Sequence, residues 1–149
     1  MKPFNKMLIA TDGSQNAKAA AVQGLALAKL LDAEVTAMSV VEVGPIFVNR
    51  AFTGLTRATV YNYLEEAKAA VEQVSQEGGK IGVIAKKIVM KGNPAEKIIQ
   101  VSKDYDLIVI GSLGRTGFSH FFMGNVAEKV VRFASCPVLV VRSHKFHEI

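Results

Sequence analysis

The sequence predicts an α/β fold in which one doubly wound parallel sheet carries helices on both faces. Short apolar runs rich in β-branched residues alternate five times with helical patterns along the 149 residues. The run from Leu107 to Ile110 has no polar alternation, so it suits a strand that is buried on both faces. Strands that alternate with helices join through right-handed crossovers and therefore form a parallel sheet.

The length and composition agree with one folded domain spanning residues 1–149. Half of the residues are hydrophobic and 21% are charged, which excludes a disordered chain. The apolar runs are shorter than the ~18 residues of a membrane helix. The N-terminal stretch lacks the apolar core of a signal peptide, so we expect a cytoplasmic protein without membrane association.

The net charge of +5 raises the hypothesis of nucleic-acid binding. The basic residues are spread along the chain, and only those between Lys80 and Lys91 are loosely grouped. No aromatic residues are interleaved there to stack on bases. A solvated basic face is therefore the preferred interpretation, and no nucleic-acid partner is predicted.

The first half of the chain is predicted to hold two strands and two helices. Ser14 is a suitable N-cap for the first helix. In the second helix, apolar residues at steps of three and four mark one buried face, and Gly78-Gly79 are predicted to end it. The stretch from Gly44 to Gly54 is predicted to be a long irregular connection. The predicted bounds are Met7–Ala10, Gln15–Leu31, Val35–Val43 and Leu55–Glu77.

Three further strands and two further helices are predicted in the second half. The third strand is predicted at Ile81–Met90, the fourth at Leu107–Ile110 and the fifth at Val138–Val141. The helix after the third strand has three agreeing start signals, which are Asn93 as cap, Pro94 at the first position and Glu96 at the third.

The last helix is predicted to follow a glycine-rich stretch. Asn125 and Glu128 have the spacing of a capping box, so Asn125 is predicted to cap this helix. Its buried face is predicted to consist of Val126, Val130 and Phe133.

The glycine-rich stretch between the fourth strand and the last helix has two interpretations. Glycines after a buried strand are often only turn residues. A glycine-rich loop that leads into a helix N-terminus also suits phosphate, because free N–H groups and the helix dipole both favour an anion. The spacing is neither Gly-x-Gly-x-x-Gly nor a P-loop, and no P-loop lysine is present. The glycines concerned are Gly111, Gly114, Gly117 and Gly124.

A second loop, Thr11 to Ser14, leaves the end of the first strand. Ligands of open parallel sheets bind beyond the carboxyl ends of strands, where the strand order reverses. If strands one and four are neighbours, this loop and the glycine-rich loop converge on one crevice.

Three side chains have competing interpretations. Asp12 is either a turn residue or a site residue that holds a ribose or a Mg²⁺ ion. Arg115 either pairs with phosphate oxygens or is a solvated loop residue. Cys136 is the single cysteine, and it is either a buried small hydrophobe, which is the default interpretation, or a catalytic thiol, for which no His is an evident partner in the sequence.

The chain resembles the universal stress proteins, specifically the branch that binds ATP. That branch has the pattern Gly-x2-Gly-x9-Gly-Ser/Thr in its last third. Gly111, Gly114 and Gly124 hold this spacing, with Asn125 where the hydroxyl residue is expected. The segments LIATDGS, DLIVIGSLGRTG and CPVLVVR are also similar to the family, as is the helix start Gly92-Asn93-Pro94.

The resemblance implies strand order 3-2-1-4-5, an adenine nucleotide alpha hydrolase-like fold, and ATP at the switch point. It places Ala10, Thr11 and Asp12 near adenine and ribose, and the backbone of Val40 at the adenine edge. It also implies a homodimer through the edge strand Val138–Val141. The residues implied to wrap ribose and phosphates are Gly111, Ser112, Gly114, Arg115, Thr116 and Gly117, with Gly124, Asn125 and Val126 at the phosphate tail.

These residues support four candidate functions to different degrees. The first is an ATP-binding stress-response and signalling module, with at most slow hydrolysis because no general base or catalytic lysine is evident. The second is a scaffold of the branch that binds no nucleotide, with Asn125 as the sign of a relaxed site. An enzyme of adenylate chemistry lacks visible motifs here. An FMN-binding flavodoxin-like module would need a better phosphate loop after strand one than TDGSQN.

Overall fold

A computed structural model of the chain describes residues 4–42, 57–113 and 123–142. Five strands form one parallel sheet in the order β3-β2-β1-β4-β5, so the predicted fold and strand order are confirmed. The strands are β1 (Lys6–Ala10), β2 (Glu34–Glu42), β3 (Ala85–Gly92), β4 (Leu107–Gly111) and β5 (Val138–Val141). The helices are α1 (Gln15–Leu31), α2 (Arg57–Lys80), α3 (Pro94–Val101) and α4 (Asn125–Phe133).

The predicted connection from Gly44 to Gly54 lies outside the described residues. Within the described ranges, no helix is long and apolar enough to cross a membrane.

The two central strands, β1 and β4, are buried on both faces of the sheet. Alternate side chains point to opposite faces, so each strand contributes to two cores. One core joins Met7, Ile9 and Val109 to α1 and α2, and the other joins Leu8 and Ile108 to α3 and α4. This is why the sequence of both strands shows an unbroken apolar run.

Helix α2 does not end at Gly78-Gly79 as predicted but continues to Lys80. A Cβ atom at Gly78 would lie 2.6 Å from the carbonyl oxygen of Val83. The Val83 N–H donates to the Gly78 carbonyl at 2.8 Å, which ties the returning chain to the helix. Glycine is therefore needed at this position for a close approach of two backbone segments rather than for a helix end.

The third strand begins at Ala85 and not at Ile81, which corrects the predicted boundary. The chain first reverses through Ile81 and Gly82, and Gly82 has a φ of 81°. The apolar character of Ile81 and Val83 comes from packing against the core under α1 and α2. Buried apolar residues beside a turn therefore give the same sequence pattern as the start of a strand.

The start and the buried face of α4 also differ from the prediction. Gly124 is the N-cap and Asn125 is the first helical residue, so the predicted capping box is wrong. Ala127 and Val130 are buried against the sheet, whereas Phe133 is 63% exposed. Phe133 is the last residue of the helix, and Ala134 already has the extended backbone that leads towards β5.

Substitution of the two neighbouring glycines in α2 tests the close approach. We expect Gly78→Ala to lower the free energy of unfolding by about 1–3 kcal/mol, because the new methyl group would overlap the Val83 carbonyl. Nothing lies within 4 Å of a Cβ atom at Gly79, so Gly79→Ala should raise it by about 0.5–1 kcal/mol. Urea unfolding followed by circular dichroism measures both. Equal effects of the two substitutions would contradict the proposed role of Gly78.

Candidate functional site

Strands β1 and β4 are neighbours at the point where the strand order reverses. Their pairing ends at Ile9 with Val109, although β1 runs to Ala10 and β4 runs to Gly111. Ala10 remains paired with Met38 of β2 on the other side. The two chains therefore part at their carboxyl ends, which is where the ligand crevice of an open parallel sheet lies.

The exit of β1 is a tight turn fixed by two side chains. The Thr11 hydroxyl oxygen accepts from the Gly13 N–H at 3.1 Å, and Asp12 Oδ1 accepts from the Ser14 N–H at 2.9 Å. Thr11 is buried and Asp12 is half-buried. Ser14 then caps α1, because its hydroxyl oxygen accepts from the Ala17 N–H at 3.2 Å. The predicted turn and the predicted cap are both confirmed.

The backbone of Val40 faces the space beyond the carboxyl end of β1. The Thr11 N–H donates to the Met38 carbonyl at 2.9 Å, so Met38 directs its backbone groups towards β1. Backbone direction alternates along a strand, so Val40, two residues later, points the same way. The chain of β1 has by then turned through Gly13. The N–H and C=O groups of Val40 are therefore directed at the crevice.

The exit of β4 lies against the first turn of α1. A Cβ atom at Gly111 would lie 3.1 Å from the carbonyl oxygen of Asn16, so the absence of a side chain permits this contact. The next residue, Ser112, donates its N–H to the Val141 carbonyl at 2.9 Å and accepts from the Gly124 N–H at 2.6 Å. The second bond places the start of α4 directly beside the end of β4.

Four predicted site residues, Gly114, Arg115, Thr116 and Gly117, lie outside the described residues. The other nine lie in three places, which are the end of β1, the middle of β2 and the β4–α4 junction. These nine are Ala10, Thr11, Asp12, Val40, Gly111, Ser112, Gly124, Asn125 and Val126.

The N-terminus of α4 differs from those of α1 and α3. Ser14 caps α1, and Asn93 Oδ1 accepts from the Glu96 N–H at 3.1 Å to cap α3. The N-cap of α4 is Gly124, which has no side chain to accept a bond from the first turn. Such a helix end presents N–H donors and a partial positive charge, and both suit an anion.

These groups offer three kinds of contact to a ligand. Val40 offers one backbone donor and one acceptor, as the edge of a base requires. The Thr11-Asp12 turn offers oxygen atoms to a ribose, and the start of α4 offers N–H groups to phosphates. Within the described ranges, no three His, Cys, Asp or Glu side chains come together as a metal site.

Two contacts that shape the site carry no sequence signal of their own. The bond between Gly124 N–H and Ser112 C=O joins backbone atoms only. The contact of Gly111 with Asn16 joins residues from two distant elements. The glycines suggested a phosphate loop, but not that one of them would be the helix cap.

Cys136 takes no part in the crevice. It is half-buried and packs against the core beneath α3 and α4. Burial and the nearby Asp106 carboxylate raise the pKa of its thiol above the ordinary value. A raised pKa disfavours the reactive thiolate, so the residue has the character of a packing side chain.

The chain is similar to known proteins along nearly its whole length. It is 38% identical over 144 residues to Universal stress protein MJ0531 of Methanocaldococcus jannaschii, which covers 95% of this chain and 84% of the relative. It is 32% identical over 151 residues to Universal stress protein YxiE of Bacillus subtilis, with 93% and 99% covered. The solved structure of the hypothetical protein MJ0577 of Methanocaldococcus jannaschii matches with a TM-score of 0.78 and 30% identity, covering 94% of this chain and 96% of that one.

Two more distant structures share the fold and were solved with adenine nucleotides. A universal stress protein in complex with cAMP matches with a TM-score of 0.70 and 19% identity, covering 93% of this chain and 97% of that one. A universal stress protein of Archaeoglobus fulgidus in complex with dAMP matches with a TM-score of 0.63 and 20% identity, covering 94% and 98%. The model of the Universal stress protein family matches residues 3–142, and the chain therefore belongs to the universal stress protein family.

Proposed function

We propose that this universal stress protein binds ATP in the crevice between β1 and β4 and acts as a nucleotide-dependent stress-response and signalling module. The observation that carries the proposal is the position of α4. Its glycine-capped N-terminus is held at the end of β4 by the bond from Gly124 N–H to Ser112 C=O. A helix N-terminus that begins with a glycine cap beside a sheet switch point favours a phosphorylated ligand.

In this proposal each of three parts of the crevice, from β1, β2 and the β4–α4 junction, contacts a different part of the nucleotide. The backbone of Val40 meets the adenine edge, and Ala10, Thr11 and Asp12 lie along adenine and ribose. Gly111, Ser112 and the glycine-rich loop, including Gly114, Arg115, Thr116 and Gly117, enclose ribose and phosphates. Gly124, Asn125 and Val126 donate to the phosphate tail. Proteins of this fold that were solved with cAMP and dAMP support the choice of an adenine nucleotide.

Asn125 is where the chain departs from the ATP-binding pattern. Asn125 is exposed and is the first residue of α4, whereas the N-cap position is occupied by Gly124. Its amide group can donate to a phosphate oxygen through the NH₂ group. Asparagine is bulkier than serine and would crowd the terminal phosphate of ATP. We therefore propose that ATP binds here with an affinity that Asn125 modulates.

The proposal includes at most slow ATP hydrolysis. A phosphoryl-transfer site needs a residue that positions the attacking water and cations that neutralise the developing charge. Asp12 is the carboxylate nearest the crevice in our assignment, and its Oδ1 already accepts from the Ser14 N–H. In our proposal this residue holds ribose or Mg²⁺ and does not act as a general base. Mg²⁺ commonly uses one or two protein carboxylates together with phosphate oxygens and water.

The second candidate function is a scaffold that binds no nucleotide and acts through dimerisation and partner proteins. The departure at Asn125 from the expected Ser or Thr favours it. Denaturing the purified protein and separating the supernatant by chromatography distinguishes the candidates, since an ATP-binding module should release adenine nucleotide. Thermal unfolding with ATP and Mg²⁺ adds a second measure, because a ligand at 100 times its dissociation constant stabilises by ~2.7 kcal/mol.

Valine substitutions at two glycines test the phosphate site. We expect Gly114→Val and Gly124→Val each to abolish ATP binding measured by calorimetry, because a branched side chain would occupy space beside the phosphates. Gly124 has extended backbone angles that valine adopts, so the far-UV circular dichroism of this variant should be unchanged. Gly79→Ala, outside the crevice, is the matched control. Unchanged ATP binding in both valine variants would reject the site.

Substitution of Asp12 separates its two interpretations. Asp12→Asn retains an oxygen that accepts from the Ser14 N–H but removes the negative charge. If the carboxylate holds Mg²⁺, the variant should lose the increase in ATP affinity that Mg²⁺ gives while its thermal stability stays within about 0.5 kcal/mol of the parent. Calorimetry with and without Mg²⁺ measures this. An identical Mg²⁺ dependence in the variant and the parent would contradict the role of Asp12 in holding Mg²⁺, and an unchanged ATP affinity without Mg²⁺ would also contradict its role in holding ribose.

The proposal also includes a homodimer through the edge strand β5. Leu139 in this strand is 38% exposed, and Phe133 at the end of α4 is the exposed aromatic residue described above. An exposed apolar edge strand favours pairing with a second chain. We expect a two-chain species by light scattering, and Leu139→Glu should convert it to a monomer. Leu30→Glu, on α1, is the control for adding a charge at an exposed leucine. A parent protein that is monomeric at micromolar concentration would contradict the dimer.

A further inference from the structure

Strand β3 lies at one edge of the sheet, and within the described residues no strand pairs with its outer side. All eight residues of β3 are in register with β2 on the inner side. The hydrogen bonds of Glu34 and Met38 show that even-numbered residues of β2 face β1, so Val41 and the other odd-numbered ones face β3. In a parallel ladder a residue bonds to the neighbours of its partner, and the partner itself faces away. The residues whose N–H and C=O groups point away from β2 are Ala85, Lys87, Val89 and Lys91.

One face of this strand combines exposed apolar and basic side chains. Met90 packs against the core beneath α3, and side-chain alternation puts Ile88 and Lys86 on the same face. Ile88 is 37% exposed, and Ile84, directly before the strand, is 91% exposed. Exposed isoleucines beside unpaired backbone groups are unusual on a sheet edge, because they favour pairing with another strand.

The charge along the edge is positive. Lys87 is neutralised by Glu72, whose Oε2 lies 2.6 Å from the lysine Nζ. Lys86 and Lys91 are exposed and form no ion pair within the described parts of the chain. Lys97 of α3 adds a third ammonium group, since its side chain runs over Gly92 at the end of the strand. Lysines on an edge repel a second copy of the same strand but attract an acidic one.

From these observations we propose that β3 binds an extended acidic segment of a partner protein as an additional strand. The backbone of the segment would pair with the outward-facing groups of β3, which is the mode of β-strand addition. Opposite Ile84 and Ile88 the segment would carry apolar residues, and opposite Lys86 and Lys91 it would carry carboxylates. The pattern is apolar-x-acidic-x-apolar-x-x-acidic in parallel orientation and its reverse in antiparallel orientation.

The probe is a fluorescein-labelled peptide of that pattern, Val-Thr-Glu-Thr-Val-Thr-Thr-Glu, together with its reversed sequence. Binding to the full-length protein is measured by fluorescence anisotropy at low and physiological salt. We expect one of the two peptides to bind at least 10-fold more tightly than the peptide in which both Glu residues are replaced by Lys. Equal binding of the acidic and basic peptides would overturn the proposal.

Two pairs of variants test the charges and the backbone separately. Lys86→Glu combined with Lys91→Glu should weaken peptide binding at least 10-fold, whereas Lys29→Glu combined with Lys103→Glu changes the net charge equally at exposed sites outside β3 and should leave binding unchanged. Lys87→Pro removes an outward-facing N–H at an edge position that tolerates proline. Lys87→Ala loses the same ion pair but keeps the N–H. We expect at least 5-fold weaker binding for Lys87→Pro than for Lys87→Ala.

Circular dichroism and thermal unfolding establish that each variant is folded before its binding is compared. If Lys87→Pro and Lys87→Ala bind the peptide equally, strand addition is wrong. A single-stranded oligothymidylate supplies the alternative polyanion. If it competes for the same lysines and binds at least as tightly as the acidic peptide, the edge recognises nucleic acid and the proposal is also wrong.

Discussion

The pairing of β1 with β4 is the contact on which the rest of the structure depends. It joins the two halves of the chain at the centre of the sheet and reverses the strand order there. Both strands are buried on both faces, so their contact also links the two cores. Because the pairing ends before the strands do, the same contact that holds the sheet together opens the crevice at its carboxyl edge.

The site is built mainly from backbone groups placed by small residues. Gly111 permits β4 to lie on the first turn of α1, and Gly24 permits α1 to lie on the sheet, where a Cβ atom would come within 3.1 Å of Ile9 and Val109. Val40 faces the crevice through its main chain, and α4 begins with a glycine that contributes only its backbone. An arrangement of this kind presents main-chain donors and acceptors, which recognise the shape and charge of a ligand.

Local signals in the sequence were sufficient where one residue decided the structure. Ser14 and Asn93 cap their helices as predicted, because the hydrogen bond of a cap reaches only three residues along the chain. The predictions at Gly78, Asn125 and Phe133 were wrong for one common reason. Each depended on what the residue meets elsewhere in the fold: the Val83 carbonyl, the chain leaving β4, and the end of the helix at the sheet margin.

The candidate site also combines features that local sequence signals predict with features that depend on contacts elsewhere in the fold. Alternating strands and helices predicted where the two loops would meet, and the structure brings their bases together. The orientation of Val40 follows from the register of β2 with β1, which no single residue encodes. Val40 was predicted as a site residue from the resemblance to a family, and the pairing of β2 with β1 explains the direction of its backbone groups.

The bond from Gly124 to Ser112 has a consequence for how such proteins diversify. It clamps both ends of the intervening segment with main-chain atoms, which every amino acid except proline can supply on the donor side. Substitution of the Ser112 or Gly124 side chain by that of any residue except proline at position 124 therefore leaves this bond available. Descendants of one ancestor can therefore change the side chains at this junction while the start of α4 stays joined to the end of β4.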